Sequence, residues 1–161
     1  MSKVVVVSGN PRPGSRTSTL ATAVGAAVVA LTGDPEPQLI EVGALGAGLL
    51  TPGDAATAGA VTALREADVL IVATPTYKGS YTGVLKVLLD QLPANALAGK
   101  RVIPVVTAGV APQAAAAEAL LRQLLTELGA DVVTPGLPVV EAELAESAAV
   151  AEKYVGGTGV F

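Results

Sequence analysis

Apolar positions along this chain follow two rhythms. Unbroken runs at Val4–Val7 and within Ala67–Thr74 and Lys100–Thr107 read as strands buried on both faces. Between them, apolar residues recur at helical spacing. Leu20, Val24, Ala27, Val28 and Leu31 predict a first helix ending near Gly33. Ala58, Val61 and Leu64 predict a second helix, for which Asp54 is a candidate cap. Val84, Leu85, Leu88, Leu89 and Leu92 predict a third helix beginning at Thr82, with Lys86 and Asp90 turned outward. Pro112 suits the first turn of a long fourth helix reaching Leu128 and closed by Gly129. Gln38–Val42 is a short second strand, Gly43–Gly53 a loop, Asp131–Val140 a last strand, and Glu143–Val155 a closing helix before a frayed tail.

Strand and helix thus alternate five times, which predicts a parallel sheet with helices on both faces and right-handed crossovers. Pro104 resists this reading, because it lies inside an interior strand where a missing N–H is normally excluded.

The first strand runs into Ser8-Gly-Asn-Pro-Arg-Pro-Gly-Ser-Arg-Thr-Ser18, a loop dense in Gly, Pro, Ser and Arg. A strand, a Gly-containing loop and a helix start aim backbone N–H groups and the positive end of a helix dipole at an anion. Ser8, Ser15, Thr17 and Ser18 offer hydroxyl donors, and Arg12 and Arg16 offer charge. Capping alone needs one hydroxyl, so the excess points to a phosphate cradle.

Charge distribution agrees. The 161 residues carry a net charge of −4, yet none of the fourteen carboxylates precedes Asp34, and two of the five arginines lie in this loop. A local cationic pocket on an acidic chain suits a small phosphorylated ligand, whereas a nucleic-acid backbone needs an extended basic face. The absence of cysteine and histidine excludes disulfides, thiolate catalysis, Cys-ligated metals and any Ser-His-Asp triad. Neither a signal-peptide h-region nor a 20-residue uncharged span is evident, so a cytoplasmic location is expected, with no membrane partner.

The loop decides among nucleotide-binding folds. Gly9 and Gly14 are too far apart for the dinucleotide fingerprint, although Glu41 sits on the second strand where that fingerprint places an acid. No Gly-Lys-Ser or Gly-Lys-Thr follows, which excludes a P-loop. A hydroxyl-rich loop for one terminal monophosphate fits a flavodoxin-like three-layer sandwich, a five-stranded parallel sheet of order 2-1-3-4-5. The ligand would then meet the cradle, Thr74–Tyr81 and Thr107–Val110.

Three stretches carry a family resemblance: Ser8–Ser18, Ala73-Thr-Pro-Thr-Tyr-Lys-Gly-Ser-Tyr-Thr-Gly-Val-Leu-Lys86 and Gly99-Lys-Arg-Val102. Over about residues 3–140 the chain resembles the NADPH-dependent FMN reductases, closest to those paired with sulfonate-type monooxygenases. The resemblance implies a single flavodoxin-like FMN-binding domain over residues 1–155, with 156–161 as a tail. It implies FMN with its phosphate at Ser8, Arg12, Ser15, Arg16, Thr17 and Ser18. Pro75, Thr76, Tyr77, Lys78 and Ser80 would line one side of the flavin, and Thr107, Ala108 and Gly109 the other. Val110 departs from the family, which commonly has a second glycine there.

The implied activity is hydride transfer from NADPH or NADH to FMN, which then serves a partner monooxygenase. No catalytic side chain and no metal are called for, since the cofactor carries the chemistry. Two other readings stay open: a quinone or azo reductase that retains FMN, and a flavodoxin-like electron carrier. An alanine-rich face around Ala114–Ala119 is consistent with a homodimer or homotetramer.

Overall fold

The structure, a computed structural model, describes all 161 residues. Its six strands are β1 (Val4–Ser8), β2 (Gln38–Glu41), β3 (Val69–Pro75), β4 (Arg101–Ala108), β5 (Asp131–Val132) and β6 (Leu137–Val140). Its helices are α1 (Arg16–Thr32), α2 (Val42–Leu45), α3 (Ala55–Glu66), α4 (Gly83–Leu89), α5 (Ala111–Glu127) and α6 (Ser147–Thr158). All strand pairs are parallel, in the order β2-β1-β3-β4-β5, with β6 also on β4. This is the flavodoxin-like arrangement, and it sends the carboxyl ends of the strands to one edge of the sheet.

The valine run explains the three layers. Successive strand residues face opposite sides, so Val5 and Val7 enter one core while Val4 and Val6 enter the other. On the first side, β3 adds Leu70 and Val72 beneath α3, α4 and α5. On the second, Val69, Ile71 and Ala73 meet α1 and α6. A run apolar on both faces can be satisfied only between two helix layers, and that is where it lies.

Helix ends follow local chemistry. Ser15, Asp54 and Thr82 are N-caps whose side chains accept from the amides of Ser18, Thr57 and Leu85. Gly33 closes α1 in the left-handed conformation. The Asp54 carboxyl is held below its ordinary pKa by the Thr57 amide and then by its hydroxyl. Burial on α3 falls on Thr57, Ala60, Ala63 and Leu64, and Ala58 is exposed, one position off the expected face.

Three expectations change. Gly43–Gly53 is not all loop, since α2 and a 3-10 helix over Gly46–Leu50 occupy much of it. These turns are too short to display a period. Gly156–Thr158 continue α6 instead of fraying, and Phe161 approaches the Arg101 guanidinium. The last strand is divided into β5 and β6, making six strands where five are expected.

That division accounts for Pro104. The Val102 carbonyl accepts from the Val133 amide at 2.9 Å, so residues of even number on β4 direct their backbone groups toward β5 and β6. Pro104 therefore turns its missing donor toward the break between Val132 and Leu137. Gly136 fills that break so closely that a Cβ there would meet Pro104 Cγ at 2.6 Å and Glu118 Oε1 at 2.5 Å. Glu118 is itself buried and paired with Arg122 on α5. Gly136→Ala should therefore destabilise the fold by about 1–3 kcal/mol, as expected for overpacking. Urea denaturation measures this, and an unshifted midpoint would contradict the packing described.

Candidate active site

The site begins at the last residue of β1. Ser8 is fully buried, and its hydroxyl lies 2.7 Å from that of Ser18 on the first turn of α1. Ser18 in turn donates to Glu41 Oε1 at 2.5 Å. The other oxygen, Glu41 Oε2, accepts from the Gly14 amide at 2.5 Å. Register places Glu41 beside Ser8, at the end of β2, so the carboxylate reaches the loop from behind. Below it, Gly43 of α2 sits directly against the Pro11 carbonyl, with no room for a side chain.

Three strand-end loops are tied together. The Gly9 amide donates to the Ala73 carbonyl at 2.8 Å, and Thr82 Oγ1 donates to the Gly9 carbonyl at 2.5 Å. Thr17 Oγ1 lies 3.3 Å from Thr107 Oγ1, and Thr76 Oγ1 donates to the Thr107 carbonyl at 2.9 Å. Between β3 and α4, Tyr77 and Ser80 pair in both directions, with the Tyr77 amide 2.9 Å from the Ser80 carbonyl. Lys78 and Gly79 both have positive φ, 53° and 81°, as the middle of a primed hairpin turn requires.

Together these loops enclose a cleft of about 440 Å³ at the switch between β1 and β3. Asn10, Arg12, Pro13, Gly14, Ser15, Arg16 and Thr17 line it from the β1 loop, and Pro75, Tyr77 and Thr107 from β3 and β4. Glu141 and Leu144 complete it from the segment after β6. Arg12 is exposed, and Arg16 faces Glu141 at 3.7 Å. Tyr77 also lines the cleft and remains 47% exposed, in a chain with four aromatics.

The expected residues separate into groups. Arg12, Ser15, Arg16, Thr17, Pro75, Tyr77 and Thr107 converge on the cleft. Ser8 and Ser18 are buried behind it, their hydroxyls committed to one another and to Glu41. Thr76, Lys78 and Ser80 belong to the hairpin beside the cleft, Ala108 is buried at the end of β4, and Gly109 is exposed just beyond it. Asn10, Pro13 and Gly14 lie within the stretch read as a cradle but are not among the residues singled out in it. Glu141 and Leu144 are new, and their signal was positional: they follow the last parallel strand, whose end shares the edge with β1, β3 and β4.

Residues 2–144 match the family described as NADPH-dependent FMN reductase. The chain is 46% identical over 74 residues to an FMN reductase (NADPH) of Escherichia coli K12, covering 46% of this chain and 39% of that protein. It is 36% identical over 151 residues to the NADH-dependent FMN reductase SfnF of Pseudomonas fluorescens Pf0-1, covering 89% and 79%. Among solved structures, the apo form of the NADH:FMN oxidoreductase EmoB superposes with a TM-score of 0.88 at 33% identity, covering 98% of this chain and 88% of that one. The Escherichia coli match thus spans about two fifths of that relative's length, while SfnF and EmoB are matched over most of theirs. The chain belongs to the NADPH-dependent FMN reductase family.

Glu41→Ala tests the support behind the loop. Loss of a charge-assisted contact to the Gly14 amide and of the Ser18 acceptor should speed amide exchange over Gly14–Ser18 by about tenfold or more. Hydrogen exchange read by mass spectrometry checks this. Unchanged protection would show that Glu41 does not hold the loop.

Proposed function

We propose that the chain is an NAD(P)H-dependent FMN reductase that binds FMN in the cleft between the β1 and β3 loops and passes reduced flavin to a partner monooxygenase. The observation that carries this reading is convergence: two guanidiniums, the Ser15 and Thr17 hydroxyls and the start of a 17-residue helix share one cleft with a half-exposed tyrosine. That donor set fits a flavin monophosphate. A phosphate monoester needs cationic and hydroxyl donors, and a flat ring needs an apolar face beside it.

Each side chain has a task in binding. Arg12 and Arg16 neutralise the phosphate, Ser15 and the first amides of α1 orient it, and Thr17 with Thr107 borders the path from phosphate to ring. The Tyr77–Ser80 hairpin supplies one wall and holds it rigid through its paired backbone. When bound, FMN supplies the hydride-accepting chemistry, with NADPH or NADH as the donor. The chain contains neither histidine nor cysteine, so the reading asks no side chain to act as a base or nucleophile.

No helix is long and apolar enough to cross a membrane. Resemblance of the Ser8–Ser18 and Ala73–Lys86 stretches to reductases of sulfonate-type monooxygenases supports the monooxygenase as partner. The exposed Ala115, Ala116, Ala119 and Leu120 of α5 support assembly into a homodimer or homotetramer, since small residues permit close helix approach.

Oxidation of NADPH and NADH, followed with and without added FMN, tests the function. Turnover that rises saturably with FMN is expected, and no oxidation under either condition would overturn the reading. Arg12→Ala, an exposed change, should raise the FMN dissociation constant about tenfold or more by deleting a charge-assisted contact. An unchanged constant, measured by quenching of flavin fluorescence, would move the phosphate elsewhere.

A further inference from the structure

The charges around the β1 loop balance. Arg12 and Arg16 are its cations, and two carboxylates meet it. Glu41 holds the Gly14 amide and the Ser18 hydroxyl from behind. Glu141 lines the cleft itself, with Oε1 3.7 Å from the Arg16 guanidinium. Other donors are also engaged within the loop: the Arg12 amide binds Asn10 Oδ1 at 2.9 Å, and the Ser18 amide binds Ser15 Oγ at 3.2 Å.

We propose that Glu141 competes with the FMN phosphate for Arg16 and so sets how readily FMN leaves the cleft. This deepens the functional reading above and rests on it. A phosphate monoester brings about −1.5 to −2 charge at neutral pH. Contact with Arg16 brings it against the Glu141 carboxylate already paired there, and a carboxylate remaining in the cleft repels it. Exchange is feasible because the pair is wet, with side chains 67% and 55% exposed, and an exposed ion pair contributes little. The segment Glu141–Glu146 that carries Glu141 also places Leu144 in the cleft, so the carboxylate belongs to the wall of the site.

The effect is specific to phosphate. A reductase that hands over FMN must release it on each cycle, and a carboxylate poised on one of two phosphate cations favours that release. The same device would hinder an enzyme that retains its flavin.

Glu141→Gln removes the charge and keeps the shape. Binding of FMN and of riboflavin, which lacks the phosphate, is measured by fluorescence quenching for the wild-type protein and the variant. The variant should bind FMN about two- to fivefold more tightly at low ionic strength, with the gain shrinking in salt. Riboflavin affinity should be unchanged. In an Arg16→Ala background the gain from Glu141→Gln should fall by more than half, because the contested cation is gone. If the wild type binds FMN saturably but Glu141→Gln binds it equally or less tightly, the inference fails and the functional reading stands. Equal tightening of FMN and riboflavin would also overturn it, placing Glu141 against the ring. Failure of the wild type to bind FMN at all would overturn the functional reading, and this inference with it.

Discussion

A buried hydroxyl must find a partner inside the protein, and that of Ser8 organises the site. It stands at the end of a strand whose preceding valines are packed on both faces, where water cannot reach it. Its partner, Ser18, fixes the first turn of α1 against β1, and Ser18 passes the requirement to Glu41 at the end of β2. Three elements distant in sequence are thereby set in one position, and the loop between Ser8 and Ser18 is held from beneath. Glu41 also holds the Gly14 amide, so this part of the loop is fixed by a group outside the cleft lining.

The same logic divides the loop's polar residues into two kinds. Those behind it satisfy each other and resist solvent, while Arg12, Ser15, Arg16 and Thr17 line the cleft in front. Threonines repeat the pattern at the other loops. Thr82 anchors the Gly9 carbonyl while capping α4, and Thr76 grips the end of β4, so the strand-end loops are laced to one another before a ligand arrives. Preorganisation of this sort lowers the ordering cost of binding.

Much of this was legible in the residues. The unbroken valine run fixes a strand buried on both sides, and Asp54, Thr82 and Pro112 mark helix starts that the structure places within a residue or two. Hydroxyls crowded between Ser8 and Ser18 pointed to the loop, but composition could not say which of them face inward. That depends on Glu41, whose role arises only when β2 lies beside β1. Glu141 was hidden for a similar reason, since no local pattern marks a residue that becomes part of a site by following the last parallel strand. Pro104 looked anomalous until the strand beside it proved to be broken at that height. Short turns such as α2 lack the length to show a period at all.

We propose that the cleft between the β1 and β3 loops receives the phosphate of FMN at the start of α1. A crystal structure of the protein soaked with FMN tests it most directly. The phosphate is predicted within hydrogen-bond distance of Ser15, Thr17 and at least one of Arg12 and Arg16, with the ring running past Thr107 toward Tyr77. A flavin bound with its phosphate away from this loop, or seated in another part of the surface, would contradict the account.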